Sequence, residues 1–185
     1  LASDLSKHWP PLALAGAAFW ILLRRPFRAA RYAPGSPEAV NLFKAAARQA
    51  GLPEAWGESP GLHNILRHES DGWVGRPNFT YGDRSRVTNR TAWPSIWAEL
   101  QAGLVTAGVT REDGSRGVSS ATGLGQLLCC GKNKNVEKYY PSGLKGIGDP
   151  LEEAIGMLLY IKNRPAYGNP EVAWAKYGKL GFKGY

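Results

Sequence analysis

Four dipeptides, each a small polar residue followed by proline, punctuate this chain: Ser36-Pro37, Ser59-Pro60, Asp149-Pro150 and Asn169-Pro170. The side chains of Ser, Asp and Asn accept hydrogen bonds from the unpaired amides of a first helical turn. Proline suits that turn because the amide it lacks would have no partner there. A chain marked in this way is committed to helices, and the residues after each signal carry the matching period.

After Ser36, with Glu38 in the first turn, Val40, Phe43 and Ala47 point inward and Gly51 ends the run. After Ser59, Leu62, Ile65 and Leu66 form one stripe. Asp149 opens the clearest helix, with Glu152 at capping-box spacing and Leu151, Ile155, Leu158 and Leu159 apolar. Lys162 and Arg164 suit its C-terminal dipole and Pro165 stops it. Asn169, Pro170 and Glu171 start a last helix through Trp174 to Tyr177. Residues 91–103 predict one more, around Ile96, Trp97 and Leu100. No stretch alternates long enough to form a long strand, and residues 74–90 have room for a short hairpin. The expected fold is mainly α, a single helical domain over residues 34–185, entered through a linker at Tyr32-Ala33-Pro34-Gly35.

Ahead of that domain lies a different segment, residues 1–33. Trp9 to Leu23 is an uncharged apolar run followed by Arg24 and Arg25. A bilayer span needs about 20 residues, and Pro10 and Pro11 spoil the first turns. A signal peptide would carry its charge before the run, and the positive-inside rule would hold the remainder in the cytoplasm. The expectation is an apolar N-terminal helix that docks on a partner protein or a membrane. Leu1, in place of Met, fits a cut chain or a piece of a longer polypeptide.

A net charge of +8 points to an acidic or polyanionic partner, such as nucleic acid, an anionic membrane or bacterial cell wall. No nucleic-acid motif accompanies it, so specific nucleic-acid binding is not expected. Seven Trp and eight Tyr exceed what a core of this size needs, and aromatic faces make platforms for sugar rings. Cys129 and Cys130 are adjacent; one peptide bond holds neighbouring Cα atoms about 3.8 Å apart, closer than a disulfide prefers. The two thiols are therefore expected not to pair. His8, His63 and His68 show no ligand spacing with them, so no metal site is expected.

One carboxylate stands out of place. Leu62, Ile65, Leu66 and Glu69 occupy i, i+3, i+4 and i+7, which puts Glu69 in line with a buried stripe. Burial favours the protonated carboxyl, as a general acid requires. Ser70, Asp71 and Gly72 end the helix beside it. The alternative is an ordinary surface glutamate bridged to Arg67 or His68. A second motif, Ser120-Ala121-Thr122-Gly123-Leu124-Gly125-Gln126, joins small residues and two glycines to an expected helix start. Glycines let backbone approach a ligand, and Gln126 offers both donor and acceptor.

Glu69-Ser70, then Ala121, Gly123, Leu124 and Gln126, then Tyr160-Ile161, then Ala173, Ala175 and Tyr177 follow one another in an order that resembles the soluble-type lytic transglycosylases. That family is lysozyme-like and cleaves bacterial peptidoglycan. ATGLGQ, KYYPSG, GIGDPLEEA and YIKNR look like the variant found in bacteriophage virion proteins. The resemblance implies that Glu69 is the single catalytic acid/base, that Ser70 orients it, and that Gly123, Leu124, Gln126, Tyr160 and Tyr177 line the substrate cleft. It implies no metal and no organic cofactor. The implied partners are peptidoglycan strands, with other virion proteins or a membrane meeting residues 9–23. The implied location is a virion acting in the periplasm and wall, or alternatively a membrane-anchored envelope protein.

The sequence departs from the family pattern at Gly125, where Met is usual, and at Gly178, where Asn is usual. Its spacing between the first two motifs is long, so residues 75–117 are expected to add a lobe over the cleft. A related hydrolase of the inverting kind would want a second carboxylate roughly 6.5–9.5 Å from the first, with Asp71, Asp83 and Glu99 as candidates. A third reading is a virion structural component that binds wall without cleaving it.

Overall fold

The computed structural model describes residues 30–78, 84–102, 119–129 and 134–181. The described chain is mainly helical with one small antiparallel sheet. Its α-helices are α1 (Pro37–Gln49), α2 (Pro60–Glu69), α3 (Arg84–Thr88), α4 (Trp93–Gln101), α5 (Asn135–Tyr139), α6 (Pro150–Asn163) and α7 (Pro170–Lys179). Short 3-10 turns precede α2, α4 and α6. The four capping signals act as expected: Ser36 accepts from the Ala39 amide, Ser59 from Leu62, Asp149 from Leu151 and Glu152, and Asn169 from Val172. Glu152 does not close a capping box. Its carboxylate instead accepts from the Ser142 amide at 2.8 Å and hydroxyl at 2.6 Å, tying the preceding loop to the helix start.

Two hydrophobic cores result. In the first, α1, α2, α6 and α7 bring together Phe43, Leu62, Ile65, Leu66, Leu158 and Tyr177. In the second, α3, α4, α5 and the sheet gather Trp93, Ile96, Trp97, Leu100, Tyr139 and Tyr140. Leu159 and Tyr160 of α6 pack against both, so this helix is the shared wall.

The sheet is not where the sequence placed it. Of residues 74–90, 84–88 are helical, and the hairpin pairs β1 (Ala121–Thr122) with β2 (Leu127–Leu128). Gly123 (φ 80°) and Gln126 (φ 47°) turn the chain between them, so the glycine motif forms a turn rather than a helix start. The chain before Asn78 runs alongside: Pro77 bridges Thr122, and the Asn78 amide donates to the Ala121 carbonyl at 3.0 Å.

Residues 30–33 are not a free linker either. The Tyr32 amide donates to the Gly72 carbonyl, and Val74 donates to the Ala30 carbonyl, at 2.9 and 3.0 Å. Residues 84–102 contribute to the second core, while residues 79–83 and 103–117 of the expected added lobe lie outside the described residues. The apolar run at 9–23 and Asp83 also lie outside them. Among the described residues no helix is long and apolar enough to cross a membrane. Cys129 is fully buried and disulfide-bonded, against the expectation for adjacent thiols; the sequence holds one other cysteine, Cys130, outside the described residues. The position of Cys129 is fixed by burial and by its amide donating to the Ser120 carbonyl at 3.3 Å, constraints that spacing along a free chain does not contain.

Candidate active site

Glu69 is the last residue of α2, and the helix stops there for local reasons. The Ser70 and Asp71 amides both return to the Leu66 carbonyl, at 3.1 and 2.9 Å. Asp71 (φ 54°) and Gly72 (φ 77°) then take left-handed conformations that reverse the chain. A side chain at Gly72 would collide with the Tyr32 carbonyl oxygen, 2.0 Å from where its Cβ would stand. Arg31 fastens the turn from outside, donating to both Asp71 carboxylate oxygens at 2.9 and 2.8 Å.

Helices α2 and α7 run side by side in the same direction. At their N-terminal ends, Glu171 accepts from the Ser59 hydroxyl at 2.6 Å and from the Gly61 amide at 2.9 Å. Gly61 lets α7 come this close, since a Cβ there would stand 2.8 Å from the Pro170 carbonyl oxygen. At the far ends, the buried Tyr177 is hydrogen-bonded to the Glu69 carboxyl. Burial pushes the Glu69 carboxyl up to about 7, against the opposing pull of the Tyr177 hydrogen bond. The Tyr177 hydroxyl is in turn pushed up by burial and by Glu69.

Neither neighbour proposed for a surface Glu69 takes that role. Arg67 donates to Asn64 at 2.8 Å. His68 lies against Trp174 and Tyr177, with ring centroids 5.4 and 6.1 Å away. Glu69 is thus a half-buried carboxyl against an aromatic wall.

That wall continues through residues the sequence did not single out for the site. Tyr167, in the turn between α6 and α7, is 5% exposed and its hydroxyl has no hydrogen-bond partner. The guanidinium of Arg164 covers the Tyr167 ring at 5.0 Å and is hydrogen-bonded to the Tyr160 hydroxyl. Tyr160 meets Tyr139 edge-on at 5.9 Å. Arg164 reads in sequence as a helix-dipole residue, and Tyr167 as a turn residue before the Asn169 cap, so neither announces itself.

Other expected site residues are placed differently. Ser70 is fully buried; its hydroxyl accepts from the Gly72 amide at 3.1 Å and faces the Leu66 carbonyl at 3.5 Å. It shapes the helix end rather than touching the carboxyl. The Gln126 side-chain amide donates to the Arg76 and Gly123 carbonyls at 2.7 and 3.0 Å, and its oxygen faces the Asn78 amide at 3.4 Å. Gln126 therefore stitches the glycine turn to residues 76–78. Leu124 is fully buried in the core that contains Leu66 and Tyr177. Gly123 sits where a Cβ would stand 2.7 Å from the Tyr140 hydroxyl and 2.8 Å from the Glu153 carboxyl carbon.

The structure thus joins Glu69 directly to Tyr177 and packs Leu124 in the same core. Tyr160 belongs to the same wall by way of Arg164 and Tyr167. Two of the three candidates for a second carboxylate are ion-paired, Asp71 with Arg31 and Glu99 with Arg86. Among the described residues no three His, Cys, Asp or Glu side chains are grouped to hold a metal ion. No protein-family model, curated protein or solved structure matches the chain.

Proposed function

We propose that the chain is a peptidoglycan lytic transglycosylase of lysozyme-like architecture, with Glu69 as its single acid/base. The observation that carries this reading is the Glu69 carboxyl itself. It ends a helix, is held by Tyr177, and is brought by burial to about 7, where the acid and base forms are both accessible. Two of the candidate second carboxylates, Asp71 and Glu99, are held by Arg31 and Arg86, which suits a reaction in which the substrate assists its own cleavage.

In this mechanism Glu69 donates its proton to the glycosidic oxygen between N-acetylmuramic acid and N-acetylglucosamine, and the C1–O bond breaks. The substrate's acetamido oxygen stabilises the cationic C1. Glu69, now a carboxylate steadied by the Tyr177 hydroxyl, removes the proton from the C6 hydroxyl. O6 then closes on C1 to give a 1,6-anhydro ring, and Glu69 is again protonated. The partly exposed rings of Trp174 and Tyr160 are apolar faces suited to sugar rings. The resemblance of its short motifs to those of phage virion proteins supports a role in opening the wall during genome ejection.

Incubating purified sacculi with the wild-type chain and with Glu69→Gln, followed by mass spectrometry of the soluble products, tests this. Anhydro-muropeptides are expected from the wild type, with release falling by roughly two to four orders of magnitude in the variant. Reducing-end products would make the enzyme a muramidase. Equal release by both chains would remove Glu69 from the chemistry.

A further inference from the structure

The other deeply placed carboxylate, Glu153 on α6, is fully buried, and among the described residues no cation pairs with it. It is satisfied by backbone amides from three separate stretches of chain. Gly75 donates to both oxygens at 2.9 and 3.0 Å, Leu124 to Oε2 at 3.0 Å, and Gly148 to Oε1 at 2.8 Å. Glycine keeps these stretches close: Gly75, Gly123 and Gly148 all have positive φ. A Cβ on Gly75 or Gly148 would strike the Trp97 ring at 2.0 or 2.5 Å, while one on Gly123 would stand 2.7 Å from the Tyr140 hydroxyl and 2.8 Å from the Glu153 carboxyl carbon.

We propose that Glu153 is a positioning residue of the Glu69 site: its carboxylate ties the segment that follows the Glu69 helix to the glycine turn. The inference rests on the reading of Glu69 as acid/base. Val74 and Leu124, next to two of the tied amides, are fully buried in the core beneath α2 and α7. Releasing the amides loosens two members of the same core that holds Tyr177, the hydrogen-bond partner of Glu69. All four contacts are N–H donors, so they suit the ionised carboxylate, and a proton added to it meets amides that cannot accept it. Burial nevertheless pushes this carboxyl up to about 7. Two titratable neighbours influence it or are influenced by it. Tyr140, whose buried hydroxyl has no hydrogen-bond partner, follows α5, and Asp149 caps α6. The Gly75 and Leu124 stretches face it with backbone.

Amide spectra of the full chain, recorded from pH 5 to 8.5 for wild type, Glu69→Gln and Glu153→Gln, give the test. Gly75, Leu124 and Gly148 should shift together with one near-neutral midpoint in the first two proteins and not in the third. On soluble glycan strands, Glu153→Gln should lower kcat at least tenfold with KM changed less than threefold. Independent titration of the three amides in Glu69→Gln, or wild-type turnover by a folded Glu153→Gln, overturns the proposal. If Glu153→Gln fails to fold, the amide titration in Glu69→Gln decides alone. A wild type that releases no muropeptides sinks the transglycosylase reading, while the amide titration still judges the clamp.

Discussion

The first core is built mostly from aliphatic side chains on well-capped helices, whereas the second sets four Trp and Tyr rings among its aliphatic residues and draws on α4 and α5, which lack side-chain caps. In the first, Leu62, Ile65 and Leu66 are fully buried on α2 beneath Ala46, Ala154 and Leu158. In the second, Ala92 and Lys134 stand at the N-caps of α4 and α5 without a side-chain hydrogen bond to the helix. Order there comes from ring packing and from indole N–H groups that find carbonyls, Trp93 on Val87 at 2.8 Å and Trp97 on Gly75 at 2.6 Å. The difference teaches that local signals can specify the first core, while the second needs its partners in place before its helices are worth forming. The two candidate functional carboxylates follow the same division. Glu69 stands at the edge of the first core, and Glu153 lies where the two cores meet.

Destroying one core at a time gives the largest expected effects on stability. Leu66→Ala should cost about 2–5 kcal/mol and Trp97→Ala about 3–5 kcal/mol, the latter also leaving the Gly75 carbonyl without its indole donor. Because α6 serves both cores, each variant should still melt in one transition when followed by both near-UV and far-UV circular dichroism. A two-step melt confined to Trp97→Ala would mean that the second core unfolds on its own.

A smaller effect concerns pH. In the folded protein, burial raises both Glu69 and Glu153 from an ordinary carboxylate value of 4.5 to about 7. The folded state therefore holds protons that the unfolded chain releases. The stability this adds is full below about pH 4.5 and is lost as pH rises through 7, by up to roughly 3 kcal/mol for each group. Urea unfolding of wild type should weaken between pH 5 and 8, and Glu69→Gln and Glu153→Gln should each flatten that slope. A slope that rises over this range in the wild type and is unchanged in both variants would contradict the burial assigned to these carboxyls.

The smallest effect separates the regions by their caps. Ser59→Ala removes the acceptor for the Leu62 amide and the contact with Glu171, and should cost about 1 kcal/mol. Ser95→Ala, in the second region, removes an exposed hydroxyl that donates to the Ala92 carbonyl at 2.8 Å and caps no amide. It should stay within about 0.5 kcal/mol of wild type. Equal costs in chemical denaturation would erase the distinction between capped and packed helices.

Much of the first region was legible because its information is local. A cap, a proline and a stripe at helical spacing fixed the starts of α1, α2, α6 and α7, and the same stripe carried Glu69 to the buried face. The rule that found Glu69 also reaches Glu153. Met157 and Tyr160 stand four and seven residues beyond it, but the capping-box spacing of the adjacent Glu152 makes this helix start read as an exposed, charged first turn. The hairpin was misplaced because turn formation depends on backbone conformation at Gly123 and Gln126, which composition alone does not fix. Ser70 and Gln126 carry the side chains expected at a site, yet the nearest unsatisfied groups in the fold are backbone amides and carbonyls, and those claim them.

By itself the sequence determined that this chain is helical, where four of its helices begin, and that one carboxylate lies on a buried stripe at a helix end. These follow from hydrogen bonds and periodicities spanning a few residues. Only the tertiary structure decided that Tyr177 would meet Glu69, that Arg164 and Tyr167 would extend the same wall, and that Glu153 would gather amides from Gly75, Leu124 and Gly148. Each of those contacts joins groups far apart in the chain or turned together by a loop. Their strength comes from shared burial, which exists only once both cores have closed.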